Sequence, residues 1–209
     1  MKLGKFITFE GIDGSGKSTA ALAAFDYLQS KGVDCILTRE PGGTSLAEAL
    51  RGLLLSTEHN MTADVEILIL QAARAHHVIE KITPALEAGT WVICDRFADS
   101  TYAYQSKSLD HALKQKEWID SLQYMLKPDV TFYMSVDYTV SSQRMAARNS
   151  AAGDDRIEQS LKERLLNMIT VYSYFKDVCD HYVEIDANAG VLDVQAQIQI
   201  RLDSLLDTL

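Results

Sequence analysis

The stretch FEGIDGSGKST, Phe9 to Thr19, governs how the rest of the chain is read. Gly11, Gly16, Lys17 and Ser18 fit the spacing G-x-x-x-x-G-K-[ST]. Glycines at these positions let successive backbone N–H groups turn inward, and the following helix aims its positive end at an anion. Lys17 adds a point charge to that cradle. An apolar strand, Phe6–Phe9, precedes the turn and a helix-forming run follows it, which is the context the motif requires. The motif names a phosphate site without naming a reaction.

Outward from this turn the chain alternates. The stretches VDCILTRE, TWVICDRF, DVTFYMSV and HYVEIDA read as four further strands, and TWVICD is apolar until Asp95, as in a parallel sheet buried on both faces. Between them lie helical patterns. The first runs from the turn to about Lys31, and SLAEALRGLLL is the next. A long run follows over ADVEILILQAARAHHVIEKITPALEAG, interrupted near Pro84. Asp110–Leu126, VSSQRMAAR, about Asp155 to Cys179, and VLDVQAQIQIRLDSLL complete the set. Strands separated by helices predict right-handed crossovers and an α/β fold, a doubly wound five-stranded parallel sheet flanked by helices. The 209 residues suit one domain, 1–209, with a small mobile insert.

Composition limits the partners. With 47% apolar residues and only three prolines, the chain has enough material for a full core. A formal charge of -9 argues against general nucleic-acid binding, so an anionic ligand must be drawn by a local cluster of arginines. Cys35, Cys94 and Cys179 are odd in number and widely spaced, which reads as reduced thiols in a cytoplasmic protein. No stretch resembles a signal peptide or a membrane span. His76 and His77 are neighbours on a helix and point apart, a poor metal pair. Trp91 and Trp118 read as core or interface residues.

The class of phosphate chemistry follows from what stands elsewhere. The guanine-reading tetrapeptide N-K-x-D of GTPases does not occur. Asp95 closes an apolar strand and is followed by Arg96, an acid able to orient Mg²⁺ beside a cation able to hold phosphate. That pair suits a kinase with two anionic substrates. The segments FEGIDGSGKST, TREPGGT, AARAHH, DRFADSTYAYQ and DDRIEQ occur in the order and spacing of thymidylate kinases, and the similarity runs from about residue 5 to about residue 190. The chain therefore resembles a bacterial-type thymidylate kinase, of the P-loop nucleoside monophosphate kinase fold with a small lid. The resemblance implies transfer of the γ-phosphoryl group of ATP to dTMP with Mg²⁺, a step of dTTP biosynthesis.

It also implies roles. Gly11, Ile12, Asp13, Gly14, Ser15, Gly16, Lys17, Ser18 and Thr19 would hold the ATP phosphates, with Ser18 on Mg²⁺ and Asp95 in its outer shell. Asp13, an acid inside a phosphate loop, would contact the acceptor sugar or a Mg²⁺-bound water; as a turn former it also has a plain reading. Arg39, Arg51 and Arg96 would meet the acceptor monophosphate, since a planar guanidinium chelates two oxygens. Arg51 on a helix also suits a solvated face. Arg74 would bond the thymine edge, and Ser100, Thr101, Tyr104 and Gln105 would complete the base and sugar pocket. Glu40–Pro41 resembles the family's cis turn. A lid over about 143–155 would close on ATP. Arg144 and Arg148 share a helical face there, and Arg148, followed by Arg156, would supply the catalytic charge that a P-loop with Gly14 lacks. Asp186–Val191, with Ala187, would flank adenine. The long apolar face around VEILILQAARAHHVI exceeds the needs of one sheet and implies a homodimer.

The sequence departs from the family pattern in three places. Leu70 stands where a phenylalanine stacks on thymine, Gln105 is followed by SKSLD instead of a glycine-rich run, and NSAAGD replaces much of the basic lid. A lost base–aromatic stack costs about 1–3 kcal/mol in other sites. A kinase for another or modified deoxypyrimidine monophosphate stays open at this point, as does a nucleotide-binding P-loop protein without turnover.

Overall fold

The computed structural model describes residues 3–149 and 161–207. Five strands, β1 (Phe6–Glu10), β2 (Cys35–Arg39), β3 (Trp91–Asp95), β4 (Val130–Ser135) and β5 (Tyr182–Asp186), form one sheet in the order β2-β3-β1-β4-β5. Every pairing is parallel, with Phe9 opposite Asp95 on one side and Phe132 on the other. All five residues of β1 are buried, as a central strand covered on both faces must be.

Alternation along the strands sorts the core into two layers. Phe6, Val92, Cys94 and Tyr133 face one side with Phe97, Tyr102, Tyr172 and Phe175. Ile7, Phe9, Ile93 and Phe132 face the other with Ala20, Leu28, Ile198 and Leu202. Each such large apolar side chain contributes about 1.5–3 kcal/mol by leaving water. The second layer is roofed by α1 (Lys17–Ser30) and the C-terminal helix α9 (Val191–Leu206). The first is covered by α5 (Ala98–Gln105), α6 (Leu109–Asp120) and α8 (Leu161–Val178).

The helices α2 (Ser45–Leu55) and α3 (Ala63–His77) begin at Thr44 and Thr62, whose hydroxyls accept from the N–H groups of Ala47 and Val65. The expected interruption near Pro84 is a five-residue π-helical turn, Val78–Ile82, before α4 (Thr83–Glu87). Proline has no N–H and its ring clashes with the carbonyl four residues back, so the turn ahead of it widens. The run expected to be helical from Asp110 to Leu126 stops at Asp120, because Ser121, Leu122 and Met125 donate in tight turns instead, to Trp118, Ile119 and Leu122. Trp91 is core, whereas Trp118 is exposed. The helix α7 (Tyr138–Asn149) follows β4. The expected helix start near Asp155, Arg156 and much of the expected lid lie outside the described residues.

The loops after β1 and β3 leave the sheet side by side at its carboxyl edge, where open parallel sheets place their ligands.

Candidate active site

At the carboxyl end of β1 the chain turns through Gly14 and Gly16, both with left-handed backbones (φ 76° and 90°), and Gly16 starts α1. Gly14 answers a spacing problem as well. A Cβ there would lie 2.4 Å from the Ser141 carbonyl oxygen, so α7 rests on the loop too closely for any side chain. An arginine after Asp13 would therefore require α7 to shift.

Lys17 is buried, and its Nζ donates to the Ile12 carbonyl at 2.7 Å and lies 3.4 Å from Ser15 Oγ. Burial, with Arg96 adding repulsion, lowers its pKa to about 8. The Ser18 hydroxyl donates to Asp95 Oδ2. The other oxygen, Asp95 Oδ1, is buried without a hydrogen-bond partner. A hydroxyl beside a half-used carboxylate fits a hydrated Mg²⁺, a hard cation that keeps several waters and binds few protein oxygens. Among the described residues no cluster of three acidic, His or Cys side chains could hold a metal ion.

Above the start of α1 opens a cleft of about 190 Å³ lined by Gly16, Thr19, Met134, Arg144, Ala187 and Val191. Arg144 roofs it, with Nη1 donating to the Ala187 carbonyl at 2.9 Å and reaching the Gly14 carbonyl at 3.5 Å. The expected donor-base loop thus lies beside the P-loop. Arg148 is one turn further along α7, and its side chain lies outside the described residues.

Across the P-loop, Arg96 is the one non-glycine among the described residues with positive φ, 70°. A bulky residue in that region costs about 1–3 kcal/mol and persists where its surroundings over-determine it. Its guanidinium pairs with Asp13, donates to Ser100 Oγ at 3.1 Å and to the Gly11 carbonyl at 3.3 Å, and sits 4.9 Å above the Tyr104 ring. The Tyr104 hydroxyl donates to Asp13 Oδ2 at 3.0 Å. One cation thereby links the P-loop acid to α5.

Arg74 is buried at the back of this crevice. It donates to Glu40 Oε2 at 2.7 Å, Thr101 Oγ1 at 2.9 Å, the Phe97 carbonyl at 3.1 Å and Gln71 Oε1 at 3.3 Å. A guanidinium has five N–H groups, so these four contacts leave one N–H over. Leu70 and Gln105 are buried alongside, Gln105 donating to Glu66 at 3.4 Å. Arg39 is exposed and bonds Glu48 at 2.9 Å, and Arg51 donates to the Pro41 carbonyl at 3.0 Å. The Glu40–Pro41 bond between them is cis.

Three partners escaped the sequence reading. Glu40 and His77 form a buried chain behind Arg74, with His77 bridging Glu40 Oε1 at 3.1 Å and Thr38 Oγ1 at 2.7 Å. His76 instead meets Thr44, so the two histidines do point apart. Glu10 is wholly buried beneath Arg96. A lone acid ending an apolar strand was the available signal for it.

The family model described as Thymidylate kinase matches residues 9–198. Curated proteins named thymidylate kinase are similar over nearly their full lengths. That of Chromobacterium violaceum is 38% identical, covering 99% of this chain and 97% of its own. That of Ruthia magnifica is 39% identical over 98% and 100%, and that of Ectopseudomonas mendocina 40% over 98% and 97%. With its P-loop, its parallel five-stranded sheet and this likeness along the chain, the protein belongs to the thymidylate kinase family.

Proposed function

We propose that this protein phosphorylates dTMP, moving the γ-phosphoryl group of ATP onto a 5′-phosphate oxygen to give dTDP and ADP. The observation that carries this reading is Arg96, a guanidinium held against the P-loop through Asp13 and the Gly11 carbonyl. An acceptor phosphate arriving there takes over those donors and lies in line with a donor phosphate cradled by Gly11–Ser18. Catalysis is then positioning and charge neutralisation, with Lys17 and Arg96 the principal cations and Arg148 adding charge from the lid. Mg²⁺, when bound, would supply charge neutralisation to the transferring phosphate. Ser18 would ligate it, and Asp95, with its spare oxygen, would hold one of its waters. Arg39 and Arg51 would flank the acceptor phosphate, and Ser100, Thr101, Tyr104 and Gln105 its sugar and base. The cleft under Arg144 would take adenine.

Incubation with Mg²⁺–ATP and a panel of dTMP, dUMP and dCMP tests this reading. ADP release is expected to be fastest with dTMP; a preference for another pyrimidine, or silence with all three, overturns it. The same panel on Leu70→Phe isolates the missing ring. A restored stack is expected to lower the KM for dTMP about tenfold. An unchanged KM means that another side chain already covers that face.

The whole chain, 1–209, would act as one kinase domain with its lid at about 143–155. Leu46 and Leu53 on α2, with Val65, Leu68 and Ile79 in the α3 region, are exposed, an apolar face suited to a second copy of the chain. Sedimentation at twice the chain mass is the expected result. No helix among the described residues is long and apolar enough to cross a membrane. A cytoplasmic setting is supported by three free cysteines, whose thiols burial keeps above their ordinary pKa.

A further inference from the structure

Glu10 has no part in the chemistry above, yet it lies at the junction that shapes Arg96. The residues around the left-handed turn are tied to consecutive residues of β1. The Arg96 N–H donates to the Phe9 carbonyl at 2.9 Å, and the Phe97 N–H donates to Glu10 Oε1 at 2.7 Å. The Ser100 N–H reaches the same oxygen at 3.3 Å. Glu10 Oε2 accepts the Ser100 hydroxyl at 2.6 Å, and that hydroxyl in turn receives Arg96 Nη1 at 3.1 Å. From α8 the Tyr172 hydroxyl donates to Oε2 at 3.1 Å.

Two kinds of restraint therefore converge. The backbone of Arg96 is clamped on both sides, and its guanidinium is steered through Ser100. A carboxylate at the first turn of α5 is also favoured by the helix dipole. Burial raises the carboxyl's pKa, while Ser100, Arg96, Phe97 and Tyr172 all favour its charged form. Glu10 thus joins the Arg96 turn to α5 and to α8, two helices of the layer that covers one face of the sheet.

We propose that Glu10 is a positioning residue for Arg96, fixing its strained backbone through Phe97 and its side chain through Ser100. This rests on the reading of Arg96 as the ligand of the acceptor phosphate. Glu10→Gln keeps the shape and one acceptor oxygen but removes the charge and turns an N–H₂ toward the two hydroxyls. It is expected to lower kcat/KM for dTMP about 100-fold, the effect of a displaced positioning group, with the Kd for ATP unchanged. A double-mutant cycle with Arg96→Ala separates steering from general loosening. In the Arg96→Ala background Glu10→Gln is expected to cost less than about threefold, because the group it positions is gone. The same factor in both backgrounds, or wild-type kcat/KM in Glu10→Gln, overturns the proposal. Tyr172→Phe removes one donor without the buried charge change and serves if Glu10→Gln does not fold. Its smaller loss, about fivefold, is expected to vanish in the same way without Arg96; additivity there also overturns the proposal. An Arg96→Ala enzyme with intact kcat/KM for dTMP would instead overturn the underlying reading of Arg96.

Discussion

Lys17→Ala is expected to lower turnover with ATP and dTMP by about 10²–10³-fold, the usual cost of removing one preorganised charge from a transition state. Affinity for dTMP should change little, because Lys17 makes no hydrogen bond to Arg96 or Arg74 or to the groups that hold them. Arg96 rests on Asp13, Gly11 and Ser100, and Arg74 on Glu40 and Thr101. Initial-rate kinetics with direct measurement of dTMP binding checks both halves. Unchanged turnover would rule out Lys17 as the donor-phosphate cation.

The same lysine carries a pH signature. Its pKa lies at about 8 against an ordinary 10.5, because burial disfavours the ammonium. Above about pH 8 the ligand-free enzyme holds it neutral, and ATP must restore a proton on binding. The Kd for ATP therefore rises as pH climbs past 8, and that slope disappears in Lys17→Ala. Stability of the ligand-free protein runs the opposite way. Between about 8 and 10.5 the unfolded chain binds more protons at this position, so its contribution to stability grows with pH.

What could be read in the sequence was whatever carries its signal locally. The strands were legible because each is a short apolar run between helical lengths, and the P-loop because its glycines and Lys17 are adjacent. Helix α5 had no such signal. Six of its eight residues, Ala98 and Thr101–Gln105 among them, are buried, so no polar face alternates with an apolar one. The partner acids were hidden for a related reason. Glu40 meets Arg74 across 34 positions, and Phe97 meets Glu10 across 87. Such pairings exist only once the sheet has brought β1, β2 and β3 side by side. The arginines stand in local motifs of the sequence; the carboxylates that hold them require the fold.

Glu40→Gln tests that last distinction and is expected to destabilise the protein by about 3–5 kcal/mol, the cost of leaving a buried charge without its partner. Arg74 and Glu40 side chains are 2% and 3% exposed, so water cannot replace the lost carboxylate. Glutamine keeps a single acceptor oxygen, so Arg74 and the buried His77 can no longer each face a carboxylate oxygen. For a chain of this length the change corresponds to a fall in Tm of about 10 °C. The double variant Glu40→Met, Arg74→Met removes both charges and should recover much of that loss, since an apolar pair of similar volume is often as stable as a buried ion pair. It should not recover discrimination between dTMP and dCMP, because the remaining Arg74 donor is gone with the side chain. Thermal melts and the acceptor panel on both variants decide the matter. A single variant as stable as the double would mean that Glu40 does not neutralise Arg74. A double variant that still prefers dTMP would remove Arg74 from base recognition.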